Sequence, residues 1–148
     1  MQNVLASRYA SRPMADLWSP ETKVVLEREL WMAVLEAQRE LGVDIPEGVV
    51  EDHRAVVDQV DLDSIRERER TTRHDVKARI EEFNALASHE HIAVQSIHGG
   101  MTSRDLTENV EQLQVKQSLE LLRDRAVATL ARLGRLAAEH ETTVMAGR

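Results

Sequence analysis

Residues 96–109 read Ser-Ile-His-Gly-Gly-Met-Thr-Ser-Arg-Asp-Leu-Thr-Glu-Asn, and the longest helical pattern of the chain begins inside this segment. Gly99 and Gly100 allow the backbone to turn through conformations that are closed to other residues. Thr102 and Asp105 have the spacing of a capping box, which opens a helix. Two structures fit this start. One is an ordinary capped helix, and the other is an anion site, because unpaired backbone N–H groups lie there beside two hydroxyl groups.

The helix predicted after this turn extends from Ser103 to about His140, since nothing breaks the pattern before Gly134. At 1.5 Å per residue it measures about 55 Å. An apolar seam runs along it, formed by Leu106, Val110, Leu113, Leu119, Leu122, Ala126, Leu130, Leu133 and Ala137. Helices of this length usually belong to coiled coils or large bundles. We therefore expect residues 101–148 to be the truncated start of a central helical-bundle domain.

The composition of the chain favours an all-α fold. Its 148 residues include 42% hydrophobic but 3% aromatic residues, which predicts an aliphatic core. Three Pro and six Gly in the whole chain suit long helices better than a turn-rich β fold. We predict a short-helix N-terminal domain over residues 1–100, followed by the first long helix of a bundle.

Charge and cysteine content narrow the possible functions. The formal net charge of −7 argues against a protein that coats nucleic acids, although a small phosphate ligand needs only a local cluster of Arg. The sequence has no Cys, which excludes disulfides, thiol nucleophiles and thiolate metal sites. No basic and apolar leader and no run of membrane-spanning length is present. We expect a cytoplasmic protein that binds neither nucleic acid nor membrane.

Ser19-Pro20 predicts the start of a helix, because Ser is a good N-cap and Pro suits the first helical position. Gly42 predicts its end after about Leu41. The apolar spacing predicts a buried stripe formed by Leu30, Val34, Ala37 and Leu41 and widened by Trp31 and Leu35. Trp31 is accordingly predicted to be a core residue and not a stacking platform for a ligand.

Two shorter helices are predicted next. Pro46 indicates the start of one that continues toward Val57. Ser64 and Glu67 have the spacing of another capping box. Ile65 is the only large apolar residue in the segment 65–70. We therefore predict a charged helix that is solvated, the alternative being a helix that lies over an anionic group.

Residues 71–76, Thr-Thr-Arg-His-Asp-Val, repeat the plan of the later helix start, with Thr72 as N-cap and Asp75 at the third position. The spacing predicts a buried face formed by Val76, Ile80, Phe83 and Ala87. Arg73 is predicted on that face, where it needs an anionic ligand or a protein carboxylate. His74, near the positive end of the helix, is predicted to be neutral. Asp75 could orient that imidazole or cap its own helix.

His89, His91 and His98 lie close together in the sequence and raise the possibility of a zinc site. A His-x-His pair in a loop is a weak signal, however, and no further ligand follows at a suitable spacing. We predict no metal site and no cofactor.

Four segments together resemble the adenylosuccinate lyases of the fumarase/aspartase superfamily. They are Arg8-Tyr9, residues 71–76, residues 97–105 and the terminal Met145-Ala146-Gly147-Arg148. Their order and spacing match that family over the whole chain. The Thr-Ser-x-Asp start differs from the Asn-rich versions of fumarases and aspartases, and cycloisomerases lack the Arg-His-Asp segment. The resemblance implies a lyase that eliminates fumarate from adenylosuccinate, giving AMP, and from the succinyl-aminoimidazole-carboxamide ribonucleotide.

The resemblance also implies roles for individual residues. The implied substrate-binding residues are Arg8, Tyr9, Arg73, His74, Asp75, Thr102 and Ser103. His74 and His98 are implied to support catalysis. Arg8 and Tyr9 should hold the nucleotide, and the two hydroxyl groups of Thr102 and Ser103 a carboxylate of the substrate.

Family enzymes continue beyond the motif at Gly147-Arg148 into a Thr-His pair, whose His is the general acid, and their general base is a Ser much further on. Their active sites use three subunits of a homotetramer. The chain is therefore expected to be an N-terminal portion, inactive alone, that self-associates. Two alternatives stay open: a stand-alone helical self-association module, and a related superfamily lyase that acts on a different, non-nucleotide substrate.

Overall fold

The computed structural model describes residues 4–89 and 97–147. The predicted all-α class is confirmed, because these residues form seven helices and no strand. The helices are α1 (Val4–Arg8), α2 (Arg12–Leu17), α3 (Pro20–Glu40), α4 (Val49–Ala55), α5 (Leu62–Thr72), α6 (Asp75–Leu86) and α7 (Ser103–Glu139). None of these helices combines the length and the apolar character needed to span a membrane.

α3 begins where the sequence predicts. The hydroxyl of Ser19 accepts a hydrogen bond from the backbone N–H of Thr22 at 3.1 Å, and Pro20 opens the helix. The predicted buried stripe is correct at Trp31 and Leu35, which are fully buried, but wrong at Ala37 and Leu41, which are exposed. The residues that α3 buries are Val24, Glu27, Arg28, Trp31, Met32 and Leu35. Apolar spacing could not identify this face because two of its members are charged.

The main core lies between α3, α6 and the start of α7. The predicted face of α6 is confirmed, because Val76, Ile80, Phe83 and Ala87 are all buried. Trp31 and Phe83 have no exposed surface, and their ring centroids are 6.2 Å apart. Burial of each such side chain contributes about 1.5–3 kcal/mol to stability. The other buried residues of this cluster are aliphatic or Met, so the predicted aliphatic core is confirmed apart from this aromatic pair.

A buried ion pair joins α3 to α6. Arg28 and Glu82 bind each other with side chains that are 0% and 1% exposed. The guanidinium also donates to three carbonyl oxygens at 3.1–3.2 Å, those of Val56, Val57 and Gln59. Glu82 accepts a further bond, of 3.0 Å, from the backbone N–H of Asp61. These hydrogen bonds offset the cost of removing both charges from water.

The starts of two short helices differ from the predictions. α4 begins at Val49, and not at Pro46. α5 has Asp61 as its N-cap, whose carboxylate accepts a bond of 2.9 Å from the backbone N–H of Ser64, so the predicted capping box at Ser64 is wrong. α5 buries Ile65 and leaves its charged side chains outside, as predicted.

The junction of α5 and α6 also differs. Thr72 is the last residue of α5, not an N-cap, and Arg73 follows as C-cap with φ of 52°. This is the left-handed region, which residues with a side chain rarely adopt. Arg73 is consequently exposed, and its predicted place on the buried face is wrong. The arginine that α6 does bury is Arg79, which is 9% exposed.

α7 is as long as predicted, with 37 residues. Its predicted capping box is confirmed, because Asp105 binds the backbone N–H of Thr102 at 2.7 Å and Thr102 binds that of Asp105 at 3.4 Å. α7 buries Leu106, Val110 and Gln114, whereas every residue from Arg123 to Gly147 is exposed. The second half of the helix therefore projects away from the rest of the structure.

α2 packs across the middle of α7. The indole N–H of Trp18 donates to the hydroxyl of Ser118 at 2.9 Å, and the amide of Gln114 donates to the carbonyl of Leu17 at 2.8 Å. The division into domains at residue 100 stays a prediction. α3 packs directly against the first turns of α7, so helices from both predicted domains meet at the site described next.

Candidate functional site

The starts of α6 and α7 lie side by side. The Nε2 atom of His74 is 3.5 Å from the hydroxyl oxygen of Ser103. These residues are 29 positions apart in the sequence, and they belong to the two segments that repeat the same local plan. The fold therefore brings the Arg-His-Asp segment and the Thr-Ser-Arg-Asp segment to one place.

The ring of His74 has a defined orientation. His74 is the N-cap of α6, not its second helical residue, and its Nδ1 accepts a bond of 3.2 Å from the backbone N–H of Lys77. Because an accepting ring nitrogen carries no proton, the proton of this imidazole is on Nε2. The N–H group of the ring therefore points toward Ser103.

His98 is fixed from the core side. The indole N–H of Trp31 donates to His98 Nδ1 at 2.9 Å, and the two rings meet edge to face with centroids 5.9 Å apart. Burial lowers the pKa of His98, and nearby His74 lowers it further, while Asp105 opposes both effects. His98 is thus neutral near pH 7 with its proton on Nε2. Burial is the main cause of this neutrality.

The Gly-Gly turn holds His98 in this position. Gly100 has φ of 75°, a conformation that suits Gly, and the Gln38 amide donates to the Gly99 carbonyl at 3.0 Å. Ile97 is 1% exposed and packs into the core. The loop is therefore bound to α3 at several points, and the position of His98 follows from the core.

Two further predicted residues are close to this group. The hydroxyl of Thr102 accepts a hydrogen bond within the capping box, but its own O–H can still donate. The carboxylate of Asp75 binds Arg79. The pKa of Asp75 is lowered overall, although burial, the largest single influence, acts to raise it. Backbone hydrogen bonding, the charge of Arg79 and the neighbouring His74 ring favour the ionised form. Asp75 is therefore an anion beside His74.

Other predicted site residues are elsewhere. Arg8 and Tyr9 are exposed, and no hydrogen bond among the described residues joins them to His74, His98 or Ser103. The exposed Arg73 adjoins His74 in sequence. His91, the middle member of the zinc hypothesis, lies outside the described residues, as does Arg148 of the terminal motif.

The sequence did not identify three residues that support the site. Trp31 was predicted as core alone, although it also orients His98. Arg79 follows Asp75 by four residues, a spacing that does indicate an ion pair on a helix. Glu27 contacts Arg79 from α3, and no local sequence signal could have shown this. In residues 4–89 and 97–147, no group of three or more His, Asp or Glu is arranged to hold a metal ion.

Comparison with known proteins identifies relatives along nearly the whole chain. Adenylosuccinate lyase of Schistosoma mansoni is 33% identical over 147 residues, which is 99% of the chain and 30% of that protein. The enzyme of Methanocaldococcus jannaschii is 33% identical over 143 residues, 95% of the chain and 30% of that protein. The enzyme of Streptococcus mutans is 33% identical over 144 residues, 97% of the chain and 32% of that protein.

The chain is similar to adenylosuccinate lyases over nearly its whole length. The resemblance that the four motifs indicated is therefore confirmed. The chain spans about 30% of the length of these relatives. No model of a protein family matches it.

Proposed function

We propose that this chain supplies part of the active site of an adenylosuccinate lyase. The reaction would eliminate fumarate from adenylosuccinate, giving AMP, and from the succinyl-aminoimidazole-carboxamide ribonucleotide of purine synthesis. The observation that supports this proposal most directly is the contact between His74 and Ser103. This contact supports a single site formed from two motifs of the family, to which the neutral His98 would also belong.

An elimination reaction requires three kinds of catalytic group. A base removes a proton from the carbon beside a carboxylate, donors stabilise the charge that develops there, and an acid protonates the departing nitrogen. The hydroxyl groups of Thr102 and Ser103 at the start of α7 are suitable donors for a substrate carboxylate. In His74 and His98 the Nδ1 atom is held by a hydrogen bond that it accepts, so the proton is on Nε2. Each Nε2–H group can donate a hydrogen bond to the substrate or relay a proton to it.

The principal acid and base belong to other parts of the complete enzyme in this proposal, a His and a Ser beyond Arg148. The chain alone should therefore release no fumarate, because each proton-transfer group commonly contributes about 10²–10⁴-fold. Assays of fumarate release with both succinylated purine nucleotides test the complete protein. Turnover with neither nucleotide, but with a non-nucleotide analogue, would favour the alternative superfamily lyase.

Arg8 gives a first test of the nucleotide site. We propose that Arg8 and Tyr9 bind the nucleotide, and their exposure leaves both side chains available for this role. Arg8→Ala in the complete enzyme should raise KM about 10-fold or more and change kcat less, because contacts to a phosphate persist from the ground state to the transition state. Arg12→Ala is the matched control, since Arg12 is another exposed arginine near the N-terminus, at the start of α2. An unchanged KM would remove Arg8 from the site.

The exposed half of α7 supports self-association, with a homotetramer as the complete assembly. From Leu119 to the end of α7, the large exposed apolar residues are Leu119, Leu122, Val127, Leu130, Leu133 and Leu136. Burial of six such side chains at about 1.5–3 kcal/mol each is a strong drive to associate. The same surface is what a stand-alone self-association module would use, so the fumarate assay distinguishes the two functions.

Light scattering over a concentration series should show that the chain is not monomeric. Leu122→Gln combined with Leu130→Gln should shift the distribution toward monomer, because both residues belong to the apolar seam. Arg125→Gln, a polar change on the same exposed turns, should leave it unchanged. A monomer at high micromolar concentration in the unmodified chain would contradict the proposed association.

The proposed lyase function also bears on the ligand class, the cofactors and the cellular location. The formal net charge of −7 argues against a nucleic-acid partner, whereas a small nucleotide ligand needs only a local cluster of Arg and helix N-termini. We propose a cytoplasmic enzyme that uses no metal or organic cofactor, since proton transfer and charge stabilisation are sufficient for this elimination.

A further inference from the structure

A second buried charge cluster connects the core to the candidate site. Arg79 on α6 lies between two carboxyl groups. Its Nη1 atom is 3.1 Å from Oε1 of Glu27 on α3, and its Nη2 atom binds the carboxylate of Asp75. Asp75 is the first residue of α6 and follows His74 directly.

The cluster has one anchored end and one open end. Glu27 is 0% exposed and Arg79 is 9% exposed, whereas the side chain of Asp75 is 58% exposed. Neither oxygen of Glu27 has a hydrogen-bond donor among the described residues, so its close contact with Arg79 is poorly directed. The better-directed bond of Arg79 is the one to Asp75. The core therefore fixes Arg79, and Arg79 in turn restricts Asp75.

An ordinary surface ion pair four residues apart would not restrict the position of Asp75. Exposed pairs four residues apart on a helix contribute only about 0.3–0.5 kcal/mol, because both side chains stay mobile. Arg79 differs because its guanidinium is held between α3 and α6, where few rotamers remain available. Asp75 thus has a fixed partner, and the first turn of α6 has a fixed position relative to Ser103.

We propose that Arg79 is a positioning residue for His74: anchored on Glu27, it fixes Asp75 and so holds the imidazole against the start of α7. This role rests on the proposed lyase function, in which His74 contacts the substrate. Arg79 itself does not touch the reacting atoms. Its effect is to keep the Nε2–H group of His74 aimed at the site.

The test compares the two buried arginines of the core. Arg79→Lys keeps the positive charge but loses the planar fork that reaches two carboxyl groups. Arg28→Lys makes the same change in the pair of Arg28 and Glu82. Arg28 binds the segment after α4, and the described structure shows no contact between this pair and His74. We expect both variants of the complete enzyme to melt at lower temperature. Only Arg79→Lys should lower kcat, by about 10–100-fold per folded molecule, because small misplacements of a reacting group have effects of this size.

Nitrogen NMR of the His74 ring provides a readout that does not depend on turnover. In the unmodified protein the signals should show a proton on Nε2 and an accepting Nδ1. In Arg79→Lys they should show exchange between tautomers, and in Arg28→Lys they should not. If Arg79→Lys fails to fold, Arg79→Gln, which can still bind one carboxyl group, takes its place.

The outcomes separate the two proposals. Unchanged ring signals and unchanged kcat in Arg79→Lys would overturn the positioning role. Equal losses of kcat in both variants would also overturn it, because the effect would then be one of general stability. If the unmodified enzyme releases no fumarate, the proposed function fails, and the ring signals of His74 still decide whether Arg79 positions it.

Discussion

His98→Gln in the complete enzyme should lower kcat by about 10²–10⁴-fold, the usual contribution of a group that transfers or relays a proton. The side chain of Gln has the length and polarity to replace the imidazole in the structure. Its amide oxygen can accept the bond that the indole of Trp31 donates to His98. We therefore expect thermal stability to change little, while the capacity to exchange a proton near neutral pH is lost.

His53→Gln is the matched control for this variant. His53 is fully buried, its Nδ1 donates to the Val49 carbonyl at 2.7 Å, and its Nε2 is 2.9 Å from the Asn84 side chain. Its loss should lower stability without changing kcat per folded molecule. Melting curves and steady-state kinetics of both variants give the comparison. If His98→Gln unfolds the protein but retains normal activity per folded molecule, His98 is a core histidine and has no part in catalysis.

Glu27→Gln should stabilise the protein at pH 8 by up to about 3 kcal/mol and have little effect at pH 5. Burial raises the pKa of Glu27 from 4.5 to about 7, although Arg79 and Lys23 oppose the shift and Asp75 and Glu111 add to it. Since each unit of difference between the folded and unfolded pKa corresponds to about 1.4 kcal/mol, ionisation inside the folded protein is costly.

The direction of the pH effect follows from the raised pKa. Well below pH 4.5, the pKa of Glu27 in the unfolded chain, the residue is protonated in both states and imposes no cost. As pH rises toward 7, the unfolded chain releases this proton more readily than the folded one, so the unmodified protein loses stability. Gln cannot ionise and avoids this loss. Denaturant unfolding of both proteins at pH 5, 6, 7 and 8 measures the difference.

Glu82→Gln is the control, because Glu82 is equally buried but binds Arg28 and the backbone N–H of Asp61. This change leaves the buried Arg28 without a counter-charge, so it should destabilise the protein at pH 8. If Glu27→Gln behaved in the same way, Glu27 would be an ionised partner of Arg79 throughout this pH range.

The sequence predicted those parts of the fold that depend on neighbouring residues. The capping box at Thr102 was correct because both of its partners lie within one helical turn. The similar sequence at Thr72 gave a wrong prediction, since packing of α5 on α6 extends the earlier helix through Thr72 and assigns the N-cap to His74. Local spacing does not reveal which of two possible caps the surrounding structure selects.

The parts of the site that were missed depend on distant residues. Trp31 binds His98 across 67 positions of sequence, and Glu27 meets Arg79 across the interface of α3 and α6. Apolar periodicity assigns charged residues to the surface, so it misplaced the buried face of α3, which contains Glu27 and Arg28. The family motifs identified His74, His98 and Ser103 without showing what holds them in place.

The left-handed conformation of Arg73 has a consequence for how the chain can change over time. An L-residue in this region costs about 1–2 kcal/mol, a strain that a glycine would not have. Selection for stability alone at the junction of α5 and α6 would therefore favour replacement of Arg73 by Gly, with loss of its guanidinium group. Stability and the proposed binding of substrate at Arg73 are therefore in competition. If Arg persists at this position during evolution, selection preserves substrate binding, and if Gly replaces it, selection preserves stability.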